Sequence, residues 1–278
     1  MSAAATLTLP LRASDVAAMP LSARYMLHLG DNALVLAQRL SQWCGHGPML
    51  EEDISLTNTA LDLLGQARLL YTRAAELHGA GLSEDDYAYW RDEFGFLNWT
   101  LTELPNAPAA AGTVAQDRDY ATTIVRVALY SALMVQLWQQ LLGSTDEQLS
   151  GIAAKSVKEA RYHWQHARMW LVRLGDGTPK SHARTQAALT QLLPYMQECF
   201  TDSALDQAAA ASGVGVLPSS LQDDWLITMQ QAATEATLSW PTMQGFVSCG
   251  KLGQHSEHMG FMLAEMQAVT RAHPGAGW

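Results

Sequence analysis

The sequence predicts an all-α protein, on three observations. Apolar residues recur at steps of three and four over long stretches. No alternating apolar–polar run is long enough for a trusted strand. Gly, Pro and Ser/Asp clusters punctuate the chain between the periodic stretches.

Taken in order, a first helix starts near Leu21, runs to about residue 44 and ends at Gly45-His46-Gly47-Pro48. A second, over 50–78, carries Leu56, Ala60, Leu63, Ala67, Leu70, Ala74 and Leu77 on one face and stops at Gly79-Ala80-Gly81. Leu82-Ser83-Glu84-Asp85 reads as the capped start of a crossover helix over 83–104, halted by Pro105, and an Ala/Pro-rich loop follows to Gly112. The next helix, 117–142, is apolar on two sides. Ile124, Val127, Ala128, Val135, Trp138 and Leu142 mark one stripe, and Leu129, Leu133, Leu137 and Leu141 another, so it packs against several partners at once. A turn at Gly143–Asp146 leads into a helix over 146–174, closed by Gly175-Asp176-Gly177, and further helices fall near 181–200, 219–239 and 256–271. Two long helices sharing a short turn, a crossover, then two more long helices sharing a short turn describe a ferritin-like four-helix bundle with a crossover helix and additional C-terminal helices. The expected organisation is a flexible tail over 1–20 and one ferritin-like helical domain over 21–278.

The 278 residues carry a net charge of -10, with 48% hydrophobic and only 16% charged residues. The acidic balance argues against nucleic acid as a partner. So low a charged fraction predicts that much surface is covered, by helix layers or by another subunit. Cys44, Cys199 and Cys249 are scattered and odd in number, which fits a reducing cytoplasm better than a disulfide framework or a thiolate zinc site. Residues 1–20 lack the basic start and long apolar run of a signal peptide. The uncharged stretch Val127–Thr145 holds Ser131, Gln136, Gln139 and Gln140, so a buried helix is expected there and no membrane span.

A carboxylate-bridged di-iron site in such a bundle takes one Glu from each of two helices and Glu-x-x-His from each of the other two. None of the 27 acidic residues is followed by His three positions later, and no acid lies between Asp119 and Asp146. The corresponding places read Asp62-Leu63-Leu64-Gly65 on the second helix and Glu159-Ala160-Arg161-Tyr162 on the fourth, with His163 one step late; the first helix offers only Asp31. Gly65 and Tyr162 thus stand where histidines belong. The remnants admit a degenerate or mononuclear metal site. The preferred reading is that Asp31, Asp62 and Glu159 are structural, paired in the core with an Arg or His, Arg68 and Arg161 being candidates.

A second candidate is the Gly-rich basic loop Cys249–His258. Lys251, Gly253, His255, Glu257 and His258 lie at a helix start, where backbone amides and a lysine can hold a phosphate or carboxylate; the preferred reading is an ordered turn at a helix cap or a contact with another subunit. No strand precedes it and it is no P-loop. The aromatic cluster Tyr87, Tyr89, Trp90, Phe94, Phe96 and Trp99 reads as core or interface packing.

Several stretches resemble the ferritin-like C subunits of bacterial ring-1,2-phenylacetyl-CoA epoxidases, the monooxygenases of aerobic phenylacetate catabolism. They are Leu29-Gly30-Asp31-Asn32, Trp43-Cys44-Gly45-His46, Leu61 through Arg68, Lys158 through His163, and Glu257-His258-Met259-Gly260 with Leu263 through Gln267. The resemblance runs from about Leu27 to Trp278, leaving out the N-terminal tail and the Ala107–Val114 loop. It implies a structural, non-catalytic chain without a cofactor of its own, inactive alone. Its implied partners are a catalytic A subunit holding the di-iron centre and the CoA thioester, a bridging B subunit, and a reductase with FAD and a 2Fe–2S cluster that draws electrons from NADPH. Two other readings stay open: an independent ferritin-like di-metal oxygenase, and a CoA-ester-binding helical protein.

Overall fold

The computed structural model describes residues 10–107, 118–242 and 246–276. Twelve α-helices follow one another among them: α1 (Ala13–Ala17), α2 (Leu21–Ser41), α3 (Leu50–His78), α4 (Glu84–Tyr89), α5 (Thr100–Glu103), α6 (Tyr120–Leu141), α7 (Glu147–Gly175), α8 (Pro179–Leu192), α9 (Met196–Phe200), α10 (Ala204–Ala211), α11 (Gln222–Glu235) and α12 (Glu257–Ala272). Among the described residues β-structure is confined to two isolated bridges, Leu11 with Arg91 and Cys249 with Gln254. Where the sequence reading takes 21–278 as one domain, the chain parts into two compact units. One holds Met1–His46, Ile54–Leu104 and Cys249–Trp278; the other holds Gly47–Asp53 and Pro105–Ser248.

In the first unit α2 is buried all round: every residue from Tyr25 to Ala37 is inside. A helix with no wet face needs apolar or paired residues on every side, which explains much of the missing charge. Gly30 is required by packing, because a Cβ there would sit 2.7 Å from the Tyr71 ring of α3. The periodic residues of α3 from Leu56 to Ala74 are buried as their spacing predicts. Its first-turn acids, Glu51, Glu52 and Asp53, suit the positive end of the helix dipole.

The crossover is not one helix. Ser83 caps α4 in a capping box with Asp86, as expected, but α4 ends at Tyr89, a single 3₁₀ turn follows at Glu93–Gly95, and α5 is short. The break has a physical cause. Leu97 N donates to Asp31 Oδ2 at 2.7 Å and Trp99 N to Asn32 Oδ1 at 2.8 Å. Two polar side chains inside α2 thus take backbone amides that a continuous helix would have used itself.

The expected tail also ends sooner than residue 20. Leu11 is 1% exposed and its amide donates to Trp90 O at 2.7 Å, Asp92 N donates back to Leu11 O, and Val16 of α1 and Met19 are buried. Residues 1–9 and most of the Ala107–Val114 loop lie outside the described residues.

The second unit is built on α6 and α7, a helical hairpin packed along its length, with α8 and α11 against it. Asp119 and Asp146 cap the two helices through Ala121 N and Leu149 N. The apolar window of α6 is 89% buried within the protein, as a core helix requires. The helix expected over 181–200 splits at Pro194 into α8, a 3₁₀ turn and α9.

Candidate functional site

Asp31 sits in the middle of α2 with no exposed surface, and a buried carboxylate needs its lone pairs answered. Arg91 answers most of them. Its guanidinium meets both carboxylate oxygens, Nη1 to Oδ2 at 3.0 Å and Nη2 to Oδ1. Tyr71 OH donates to Oδ1 at 2.6 Å, and Leu97 N completes the set. Arg91 is itself fully enclosed. Nε donates to Tyr87 O at 2.6 Å, Nη1 to Gly95 O at 2.9 Å, and the cation lies 4.0 Å from the Phe96 ring centre. Burial opposes the charge on Arg91, yet Asp31 and Tyr71 outweigh it and its pKa is raised; burial, with Asp31 beside it, holds the Tyr71 phenol far above its ordinary range.

A second buried carboxylate, Glu103 of α5, lies in the same unit. It accepts from Asn98 Nδ2 at 2.9 Å, from His255 Nδ1 at 2.6 Å and from Ser256 N at 2.5 Å. The other His255 nitrogen faces Phe96 O at 3.0 Å. Both ring nitrogens face acceptors, an arrangement that an imidazolium satisfies with its two N–H groups. Burial lowers its pKa, but the bond to Glu103 and the neighbouring charges prevail and raise it. Arg39 of α2 donates to Glu103 O through Nε at 2.8 Å and reaches His258 O at 3.3 Å. Burial draws the Arg39 pKa down to about 10.

The Cys249–His258 loop is an ordered turn before α12, and it is turned inward. Lys251 is 7% exposed and the His255 side chain 3%. The amides of Gly250, Leu252, Gly253 and Gln254 are engaged by Thr100 Oγ1 and by carbonyls of the loop itself. Gly253 is needed for its φ of +77° and for contact with Phe94 O. Glu257 is exposed and His258 half-buried at the start of α12, which Ser256 caps. At Gly250 a Cβ would lie 2.7 Å from Asn98 O and 2.8 Å from Thr100 N. Gly250→Ala is expected to destabilise the protein by about 1–3 kcal/mol, read as a lower urea midpoint at unchanged slope.

The remnant positions lie in different units, Asp31, Asp62 and Gly65 in the first and Glu159, Tyr162 and His163 in the second. Asp62 and Gly65 are half-buried, and a Cβ on Gly65 would meet nothing within 4 Å. Tyr162 is 54% exposed. The buried face of α3 runs through Leu63 and Gln66, and that of α7 through Ala160 and His163. The frame that points inward is thus one residue later than the one read from sequence, and it places Leu and Ala where carboxylates would be needed. Arg68 pairs with Glu84, Arg161 with Gln139, and Glu159 with Lys155. Arg91, the cation that pairs with Asp31, is none of the candidates read from sequence.

A third polar cluster escaped the sequence reading. In the second unit Glu52 accepts from Tyr120 OH at 2.6 Å and faces His166 Nε2 at 2.9 Å, with Trp170 edge-on to Tyr120. Burial and the bond to Glu52 push the Tyr120 phenol far up. Among the described residues no group of three or more His, Cys, Asp or Glu is placed to hold a metal ion. Among the described residues the inward positions of α3 and α7, Leu63 with Gln66 and Ala160 with His163, do not match the Glu-x-x-His pattern of a carboxylate-bridged di-iron pair.

The class is thus an all-α, ferritin-like protein, in which the buried carboxylates Asp31 and Glu103 are each met by a cation of the same chain. The chain belongs to the family of phenylacetic acid catabolic proteins, whose model matches residues 12–278 and so reaches further toward the N-terminus than the motifs suggested. It is similar to the C subunit of the 1,2-phenylacetyl-CoA epoxidase of Escherichia coli (strain K12). The two are 44% identical over 254 residues, covering 91% of this chain and 98% of that protein.

Proposed function

We propose that this chain is the structural, non-catalytic member of a multicomponent phenylacetyl-CoA epoxidase, supporting a di-iron catalytic subunit in aerobic phenylacetate degradation in the cytoplasm. One observation carries the reading: Asp31 is saturated by Arg91, Tyr71 and Leu97 N inside a sealed core. Iron bound there would have to displace a fully buried guanidinium, leaving one or the other charge without its partner, at several kcal/mol per ion. The similarity to the C subunit of an epoxidase supports the pathway. Exposed apolar side chains, Ile54, Leu61 and Leu69 along α3 and Tyr162 and Met169 along α7, support a chain covered by partners. In this reading the cofactors reside elsewhere, di-iron in the catalytic subunit and FAD with 2Fe–2S in a reductase, and a small bridging subunit joins the assembly together.

The test is coexpression with a catalytic subunit that keeps its Glu-x-x-His motifs. A stable complex by size exclusion, with iron tracking the partner and only traces in this chain purified alone from iron-rich medium, is the expected result. Stoichiometric iron in the isolated chain overturns it.

A further inference from the structure

The chain passes from the second unit to the first at Cys249, and two sets of polar ties hold it from there on. The far set lies along α12. Gln267 Nε2 donates to Ala88 O and to Arg91 O at 3.1 Å, and Arg271 donates to Tyr89 O at 3.0 Å and Arg91 O at 2.9 Å. The near set gathers around α5. Gly250 N donates to Thr100 Oγ1 at 3.1 Å, Ser256 N and His255 Nδ1 meet the Glu103 carboxylate, His255 Nε2 faces Phe96 O, and Arg39 reaches both Glu103 O and His258 O. Met259, Met262 and Leu263 are buried between the two sets. Of the side chains making these ties, His255 is the one whose ordinary titration range lies near neutrality.

His255 is surrounded by charge from several elements. Glu103 of α5 holds it directly, and Asp31 of α2, paired with Arg91, also favours its proton. Arg39 of α2 stands against Glu103, with Glu265 of α12 acting on it in turn, and Lys251 is buried in the same loop. Burial works against the imidazolium, yet Glu103, Phe96 O and Asp31 outweigh it. A neutral ring has one N–H. It can serve Glu103 or Phe96 O, and it turns a lone pair on the other. The His255 side chain is 3% and the Glu103 side chain 0% exposed, so water replaces the lost bond only where the loop lifts.

We propose that His255 is the pH-sensitive catch of a strap: when its ring loses a proton, the Cys249–His258 loop lifts from α5, while the ties of Gln267 and Arg271 keep the end of α12 in place. Closure favours the protonated ring. The loop is therefore shut at low pH and opens increasingly as pH rises through the titration of the closed form. Such an opening is local and lies below the global unfolding of the chain. The device is a property of this chain and does not depend on its place in an assembly.

Amide hydrogen exchange of the full chain from pH 6 to 9 tests the strap. Rates are expressed as protection factors, which divide out the intrinsic rise of exchange with pH. Protection at Gly250 and Ser256 is expected to fall roughly tenfold or more over that range, the scale of one hydrogen bond to a charged group, while protection at Gln267 and along α6 holds. His255→Gln, uncharged at every pH, is expected to lose the step at Gly250 and Ser256. Wild-type protection that stays flat at both amides overturns the proposal, and this arm needs no variant. A fall of the same size at Gln267 or in α6 overturns it too, because the molecule then loosens as a whole. A step that persists in His255→Gln belongs to another group and overturns the role of His255.

Discussion

Arg91→Met is expected to destabilise the protein by about 3–5 kcal/mol, because it leaves a carboxylate buried without its cation. Asp31 has no exposed surface, and after the change it keeps only Tyr71 OH and Leu97 N as donors. Tyr87 O and Gly95 O lose their partner as well. Because Arg91 also closes the chain between α4 and the 3₁₀ turn, hydrogen exchange at Leu97 and Trp99 should accelerate with the global loss. The companion Asp31→Asn/Arg91→Met separates charge from shape: Asn keeps an acceptor for Leu97 N and carries no charge to strand. The double variant should be more stable than Arg91→Met alone, with a coupling of about 1–3 kcal/mol between the sites. Urea unfolding of the three chains measures it. An Arg91→Met protein as stable as wild type would show that Asp31 is neutral in the fold, and would remove the argument that a permanent ion pair closes this core.

Much of the fold was legible because helical periodicity is local. The stripes on α3 and α6 and the caps at Ser83, Asp119 and Asp146 lie within a few residues of the turns they control. The crossover was misread because its helix is broken from afar: Asp31 and Asn32 take the amides of Leu97 and Trp99, and no window around residue 97 contains them. The absence of Glu-x-x-His was readable with certainty, whereas the frame was not. Spacing fixes which residues share a face but not which face is inside, so Tyr162 was placed inward when His163 is the buried one. Glu103 left a usable signal, being the single charged residue between Glu93 and Asp117. A lone charge in such a stretch is either functional or paired, and here it is paired with His255, more than a hundred residues on.

These two carboxylates give the first unit its character. Asp31 and Glu103 are each met by a cation from a different part of the chain, Arg91 from the crossover and His255 from before α12, so each pair ties α2 or α5 to a distant segment. A bundle that holds metal keeps its inward carboxylates available to the ion. Here the same kind of interior is cross-linked by ion pairs, which set register more surely than they add stability. That is a suitable interior for a chain whose proposed task is to hold a neighbour in shape.

The second ion pair differs from the first in being switchable by pH. His255 gains its partner on folding, so its pKa is raised in the folded state. The contribution is therefore complete below the unfolded value of about 6.5 and is lost as pH rises through the folded one. Unfolding free energy is expected to fall as pH is taken upward from about 6.5, part of that fall coming from this residue. His255→Gln keeps a donor for Glu103 but cannot serve Phe96 O at the same time in the same way, and it carries no charge. It should cost about 2–3 kcal/mol at pH 6, the scale of a hydrogen bond to a charged group, and less at alkaline pH, where the wild-type ring has itself become neutral. Urea unfolding of both proteins across that range reads the difference directly. If the two curves run parallel, His255 binds protons equally in the folded and unfolded chains, and Glu103 gives the imidazolium no preference over the neutral ring.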